Sequence, residues 1–88
     1  MKEGVLCVVY HKTTVVEASP DVVKLDTGGY RTATTKTRMN QAARQFDLGY
    51  TVRQKDYDWF VTTKAGCERM AGNSIAFDRH TGRVVSNY

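Results

Sequence analysis

The segment Thr32-Ala33-Thr34-Thr35-Lys36-Thr37-Arg38-Met39-Asn40-Gln41-Ala42-Ala43-Arg44-Gln45-Phe46-Asp47-Leu48-Gly49 decides the fold. Within it Met39, Ala42, Ala43 and Phe46 recur at i, i+3, i+4 and i+7, the spacing that lays one apolar stripe along a helix. Thr32, Thr34 or Thr35 can cap its start through a hydroxyl that accepts a backbone N–H. Gly49, just past Leu48, offers a left-handed stop. The spacing predicts a helix over residues 34–47, and no other stretch carries this period.

On both sides of the helix the pattern shortens to that of strands. Val5 to Tyr10 is β-branched and aromatic, and Thr13 to Glu17 returns after a turn at His11-Lys12. Pro20 breaks the chain before a short strand, Val22 to Leu25, which ends at Asp26-Thr27-Gly28-Gly29. Beyond the helix, Tyr50 and Val52 alternate with Thr51, Arg53 and Lys55, so the two sets face opposite ways. Asp56-Tyr57-Asp58 reads as a turn and Trp59 to Thr63 as the partner strand. Residues 65–74 contain two glycines and no period, and read as a loop with room for one helical turn. Ile75 to Phe77 and Arg83 to Val85 flank a final hairpin turn at 78–82. The order βββ-α-ββ-ββ implies an α+β fold, one antiparallel sheet of about five to seven strands packed against a single helix.

The 88 residues leave no room for a second core, so residues 1–88 read as one domain. A chain with 41% hydrophobic residues and one proline has the means to fold. A domain this small buries a modest core, which keeps a homodimer open as an alternative to a monomer. Cys7 and Cys67 are too few for a disulfide scaffold. The run Val5–Tyr10 is too short to span a bilayer or form a signal-peptide core, so the chain reads as cytoplasmic, without a membrane partner.

Thirteen Lys and Arg against nine Asp and Glu leave a net charge of +4, and its placement matters more than its size. Arg31, Lys36, Arg38 and Arg44 accompany the helix with no carboxylate among them; the first, Asp47, comes at its end. A helix N-terminus is partly positive and ordinarily attracts acids, so this order is reversed. An anion docked at the helix start would offset the cost. Gly28 and Gly29 would let it approach, backbone N–H groups would point at it, and Thr35 would add a hydroxyl. Lys36, Asn40 and Arg44 recur every four residues as a second, polar stripe, suited to phosphate and base-edge contacts. Arg53 and Lys55 extend the charge onto a strand, and Arg79, His80 and Arg83 onto the last hairpin. The set expected to contact nucleic acid, DNA or RNA, is therefore Gly28, Gly29, Arg31, Thr35, Lys36, Arg38, Asn40, Arg44, Arg53 and Lys55.

Tyr50, Tyr57, Trp59 and Phe60 crowd into eleven residues. Because Trp59 and Phe60 are adjacent in a strand, only one of them can face the helix. The other side is a stacking platform for bases or an interface. Tyr57, at a hairpin tip, is the aromatic expected to be exposed, and Tyr57 with Trp59 is the expected hot spot for a protein partner. Cys7, His11, Cys67 and His80 are four potential zinc ligands, but if Cys7 and His11 share a strand they lie about 13 Å apart and cannot share an ion. Neither cysteine has a CxxC partner. Cys7 reads as buried and the histidines as surface groups. No HExxH or GxSxG pattern occurs, so no metal, cofactor or catalytic residue is expected.

The stretch from Leu25 through Asp26-Thr27-Gly28-Gly29-Tyr30-Arg31-Thr32 to Gln41, followed by Phe46, Leu48-Gly49-Tyr50 and Gln54-Lys55 to Trp59-Phe60-Val61, resembles a family of small uncharacterised proteins encoded by tailed bacteriophages. The resemblance covers about residues 22–62 and carries over no functional residue. It implies expression in the cytoplasm of an infected bacterium and binding of a host or viral macromolecule. Two functions follow as expectations: a non-enzymatic accessory protein that binds nucleic acid through the basic helix and its Gly-Gly turn, or an inhibitor or adaptor that binds a host protein such as a defence or transcription component.

Overall fold

The computed structural model describes residues 5–10, 12–29 and 32–88. Its elements follow the chain as β1 (Leu6–Tyr10), β2 (Thr13–Ala18), β3 (Val22–Asp26), α1 (Ala33–Gln45), β4 (Thr51–Lys55), β5 (Asp58–Thr63), β6 (Gly66–Arg69), β7 (Ser74–Asp78) and β8 (Val84–Asn87). The fold is α+β. The strands form two antiparallel sheets where the sequence suggested one: β1-β2-β3-β7-β8 and β4-β5-β6. The additional strand, β6, lies in the stretch read from sequence as a loop. All four of its side chains are exposed, so it buries no apolar face and leaves no alternation to read.

The core forms where the two sheets and the helix meet. Trp59, Phe77, Leu25, Met39, Met70 and Ile75 are its largest fully buried side chains. The register of the large sheet aligns Val16 with Leu25 and Leu25 with Ile75, so one apolar row crosses three strands. The helix lies against β1, β2 and β4. Met39, Ala42 and Ala43 bury their side chains there as the stripe requires, but Phe46 is 40% exposed. The helix ends one residue earlier than its apolar period. Asp47 adopts φ 52°, the Leu48 N–H reaches back to the Ala43 carbonyl at 3.0 Å, and Leu48 takes the buried place Phe46 was expected to hold. Asp47, ahead of Gly49, thus supplies the left-handed stop.

Each edge of the small sheet is held at one point by a side chain. Asn40 on α1 donates Nδ2–H to the Val52 carbonyl at 2.9 Å and accepts the Val52 N–H on Oδ1 at 2.8 Å. At the other edge, Asn87 on β8 donates to the Arg69 carbonyl and accepts from the Ala71 N–H, both at 2.8 Å. The Thr63 hydroxyl adds a 2.6 Å bond to the Gly82 carbonyl. A sheet of three strands is thereby fixed between the helix and the last strand, with one face packed and the other open. On β1, Leu6, Val8 and Tyr10 turn to the core and Cys7 and Val9 outward, so Cys7 is exposed and not buried.

Candidate nucleic-acid interface

The described residues of the turn before the helix bond among themselves and to the first helical turn. Thr32 is the N-cap, its hydroxyl accepting the Thr35 N–H at 3.2 Å. Thr35 itself is wholly buried, its own hydroxyl 3.1 Å from that of Thr32, and is out of reach of any ligand. The Gly28 N–H is held by the Asp26 carboxylate at 2.8 Å and the Gly29 N–H by the Thr27 hydroxyl at 3.2 Å. The N–H groups of the two glycines expected to admit an anion are thus both taken, one of them by a carboxylate that would repel it. Gly28, at φ 62°, is required by packing: a Cβ there would stand 2.5 Å from the Thr13 Oγ1. Arg31 lies outside the described residues.

The polar stripe of the helix is also partly committed to the fold. Asn40, expected to read bases, spends its amide on Val52. Arg38 is exposed along the helix but its guanidinium lies 5.9 Å from the centre of the Tyr10 ring, tying α1 to β1. Lys36 is half-buried and Arg44 exposed. Arg44 occupies the last helical turn, where a cation complements the helix dipole.

The open face of β4-β5-β6 is where exposed charge and an aromatic side chain meet. Arg53 pairs across the strands with Phe60, and Phe60 pairs on its other side with Arg69. Directly opposed residues on one face hold their Cβ atoms about 5 Å apart. A row of cation, ring, cation therefore crosses the sheet, with Phe60 half-buried and both arginines exposed. Lys55 and Asp58 form the next pair, and Thr51, Thr62 and Cys67 the row beyond. A shallow depression of about 550 Å³ on this side is lined by Arg53, Gln54, Lys55, Phe60 and Cys67. Asp58 meets Arg69 at 3.5 Å in an exposed pair worth little in water. Among the described residues neither Arg53 nor Lys55 makes an ion pair, although Asp58 stands opposite Lys55 across the strands.

Of the two aromatic residues expected at a protein interface, Trp59 is fully buried and Tyr57 is 89% exposed. The pleat explains the split: Trp59 turns to the core with Val61, leaving Phe60 on the open face. Phe60 and Arg69 were not singled out as contact residues from sequence. The signal available for Arg69 was the short connection Thr63-Lys64-Ala65-Gly66, a two-residue hairpin loop that returns the chain as β6. Arg79 and His80 sit on a separate turn: the Arg79 guanidinium donates to the Ser19 carbonyl at 3.0 Å, and the His80 ring nitrogen lies 3.4 Å from Asp21. Among the described residues no three His, Cys, Asp or Glu side chains group as metal ligands, and no helix is long and apolar enough to cross a membrane.

Fold and site together define a small α+β domain with one open sheet face that is basic and bears an aromatic ring. The family model described as Kyanoviridae Gp96 protein matches residues 1–83, and the chain belongs to that family of tailed-phage proteins. The match takes in the first strands and runs on through β7 to the turn before β8, well beyond the central segment whose resemblance was legible. No curated protein and no solved structure matches the chain.

Proposed function

We propose that this phage protein binds nucleic acid, DNA or RNA, on the open face of its three-stranded sheet, in the cytoplasm of the infected bacterium and without catalysing a reaction. The observation that carries the reading is the cross-strand row Arg53–Phe60–Arg69. Guanidinium groups suit phosphate, and a half-exposed ring between them suits a base. Lys55 adds a further charge on the same face, and Lys36 and Arg44 stand on the helix that borders β4. The Gly-Gly turn is left out of the site, because its donors are already bonded.

Fluorescence anisotropy with labelled oligonucleotides at about 50 and 200 mM salt tests the reading. Three phosphate contacts on a single strand would weaken binding about twentyfold over that range. The paired substitution Arg53→Glu and Lys55→Glu should lower affinity at least tenfold with the fold intact. Flat titrations of the unaltered protein at both salts would sink the proposal.

A second reading, an inhibitor or adaptor for a host protein, draws on the apolar groups left outside the core. Tyr57, Val85 and Tyr88 are 89%, 61% and 69% exposed. Capture of one stoichiometric partner from host lysate, lost on Tyr57→Ala, would favour it.

A further inference from the structure

We propose that Tyr57 makes the open sheet face selective for single-stranded over double-stranded nucleic acid, by offering its ring at the hairpin tip to an unpaired base. The inference rests on the reading of that face as a nucleic-acid interface.

Lys55 and Asp58 are the last paired residues of β4 and β5, which leaves Asp56 and Tyr57 as a two-residue loop. Both have positive φ, 51° and 72°. That is the arrangement of a type I′ turn, whose twist matches the strands and whose second position usually holds glycine. Asp56 belongs to a residue type that enters this region with modest penalty. A tyrosine does not, because its Cβ crowds the following carbonyl. The side chain recovers nothing inside the molecule, since it is 89% exposed. An aromatic residue that strains its own turn and buries almost nothing is explained by what it meets outside the chain.

Its location says what that is. Tyr57 stands two residues beyond Lys55, on the hairpin that also carries Arg53 and Phe60. A backbone tracked along the basic face would bring nucleotides past the tip. In a duplex every interior base is already stacked on both sides, and a ring at the tip gains nothing from it. In a single strand the bases present free faces, and stacking on an aromatic side chain is favourable whatever the base. The cations therefore supply affinity for either form and Tyr57 discriminates between them.

Anisotropy with a labelled twelve-nucleotide single strand and the matching duplex, at one salt concentration, decides the matter. The unaltered protein should prefer the single strand. Tyr57→Gly should lower single-strand affinity about tenfold, leave duplex affinity unchanged and so abolish the preference. Tyr57→Phe, which keeps the ring, should retain it. Circular dichroism should show Tyr57→Gly folded, with a melting temperature at or above that of the parent. A preference that survives Tyr57→Gly, or none in the parent, overturns the inference. If Arg53→Glu with Lys55→Glu still weakens binding to both forms, the reading of the face stands without it. Flat titrations of the parent with both oligonucleotides would overturn the reading itself, and the inference with it.

Discussion

The side chain of Asn40 satisfies both backbone polar groups of Val52, with contacts of 2.9 and 2.8 Å across the gap between helix and sheet. An asparagine amide has the same donor and acceptor as a peptide group, so Asn40 serves as one residue of an additional strand beside β4. An edge strand otherwise presents unpaired N–H and C=O groups on which another chain can pair. Asn87 does the same at the end of β6, from a residue near the other end of the chain. Two asparagines thus pin the small sheet at one point on each edge, to α1 on one side and to β8 on the other.

Removing that amide should be costly. Asn40→Ala leaves a partly buried N–H and C=O without partners and should destabilise the protein by about 2 kcal/mol. In a domain of this size that lowers the melting temperature by about 10 °C. Asn40→Asp, which can accept but not donate, should fall between. Lys36→Ala and Arg44→Ala on the same helix should each stay within about 0.5 kcal/mol of the parent. Thermal and urea unfolding followed by circular dichroism measure all four.

The neighbouring glycines should differ from each other. Both have positive φ, but a Cβ on Gly29 meets nothing within 4 Å while one on Gly28 would collide with the Thr13 side chain. Gly29→Ala should therefore cost only the backbone penalty, about 1 kcal/mol. Gly28→Ala should cost clearly more, because Thr13 must also move. Equal unfolding midpoints for the two variants would contradict the packing described.

Tyr50 is placed to resist ionisation. Its ring packs edge-on to Phe77 with centroids 5.7 Å apart, and its hydroxyl donates to the Met39 carbonyl at 2.6 Å. Burial pushes its phenol well above the ordinary tyrosine range. The raised value means that Tyr50 contributes its full stability below about pH 10 and loses it as pH rises further. An ultraviolet titration should show this tyrosine absent from the first ionisation step and released only on alkaline unfolding. Tyr50→Phe should remove that late step and cost about 1 kcal/mol at neutral pH.

Asp78 works in the opposite direction. Its carboxylate accepts the Thr81 N–H at 2.9 Å and the His80 N–H at 2.7 Å, and these bonds hold its carboxyl below the usual range. A depressed value contributes stability that is complete above about pH 4 and fades as pH falls through the folded value. Asp78→Asn should be less stable than the parent at pH 7, and the difference should close in acid. Unfolding midpoints measured from pH 7 down to 2.5 would trace the convergence.

Much of this molecule was legible from residue order alone, wherever a local period reported burial. The i, i+3, i+4 spacing of Met39, Ala42 and Ala43 marked the helix. The alternation of Tyr50 and Val52 against Thr51, Arg53 and Lys55 marked the faces of β4, and the Asp56-Tyr57 turn marked an exposed ring. β6 escaped because a strand paired only through its backbone, with no side chain buried, has no apolar pattern. The roles of individual polar residues escaped for a related reason. An asparagine on a helix surface looks the same in sequence whether it meets a base or the backbone of Val52, twelve residues away. Glycines before a helix likewise look the same whether they admit a phosphate or the side chain of Thr13. Local sequence determines which elements form, because propensity and periodicity act between near neighbours. Only the tertiary structure decides which donors are already bonded and which charges share a face, since both depend on contacts between distant parts of the chain. That is why the contact surface proposed here is the open sheet row of Arg53, Phe60 and Arg69, and not the helix start that charge order suggested.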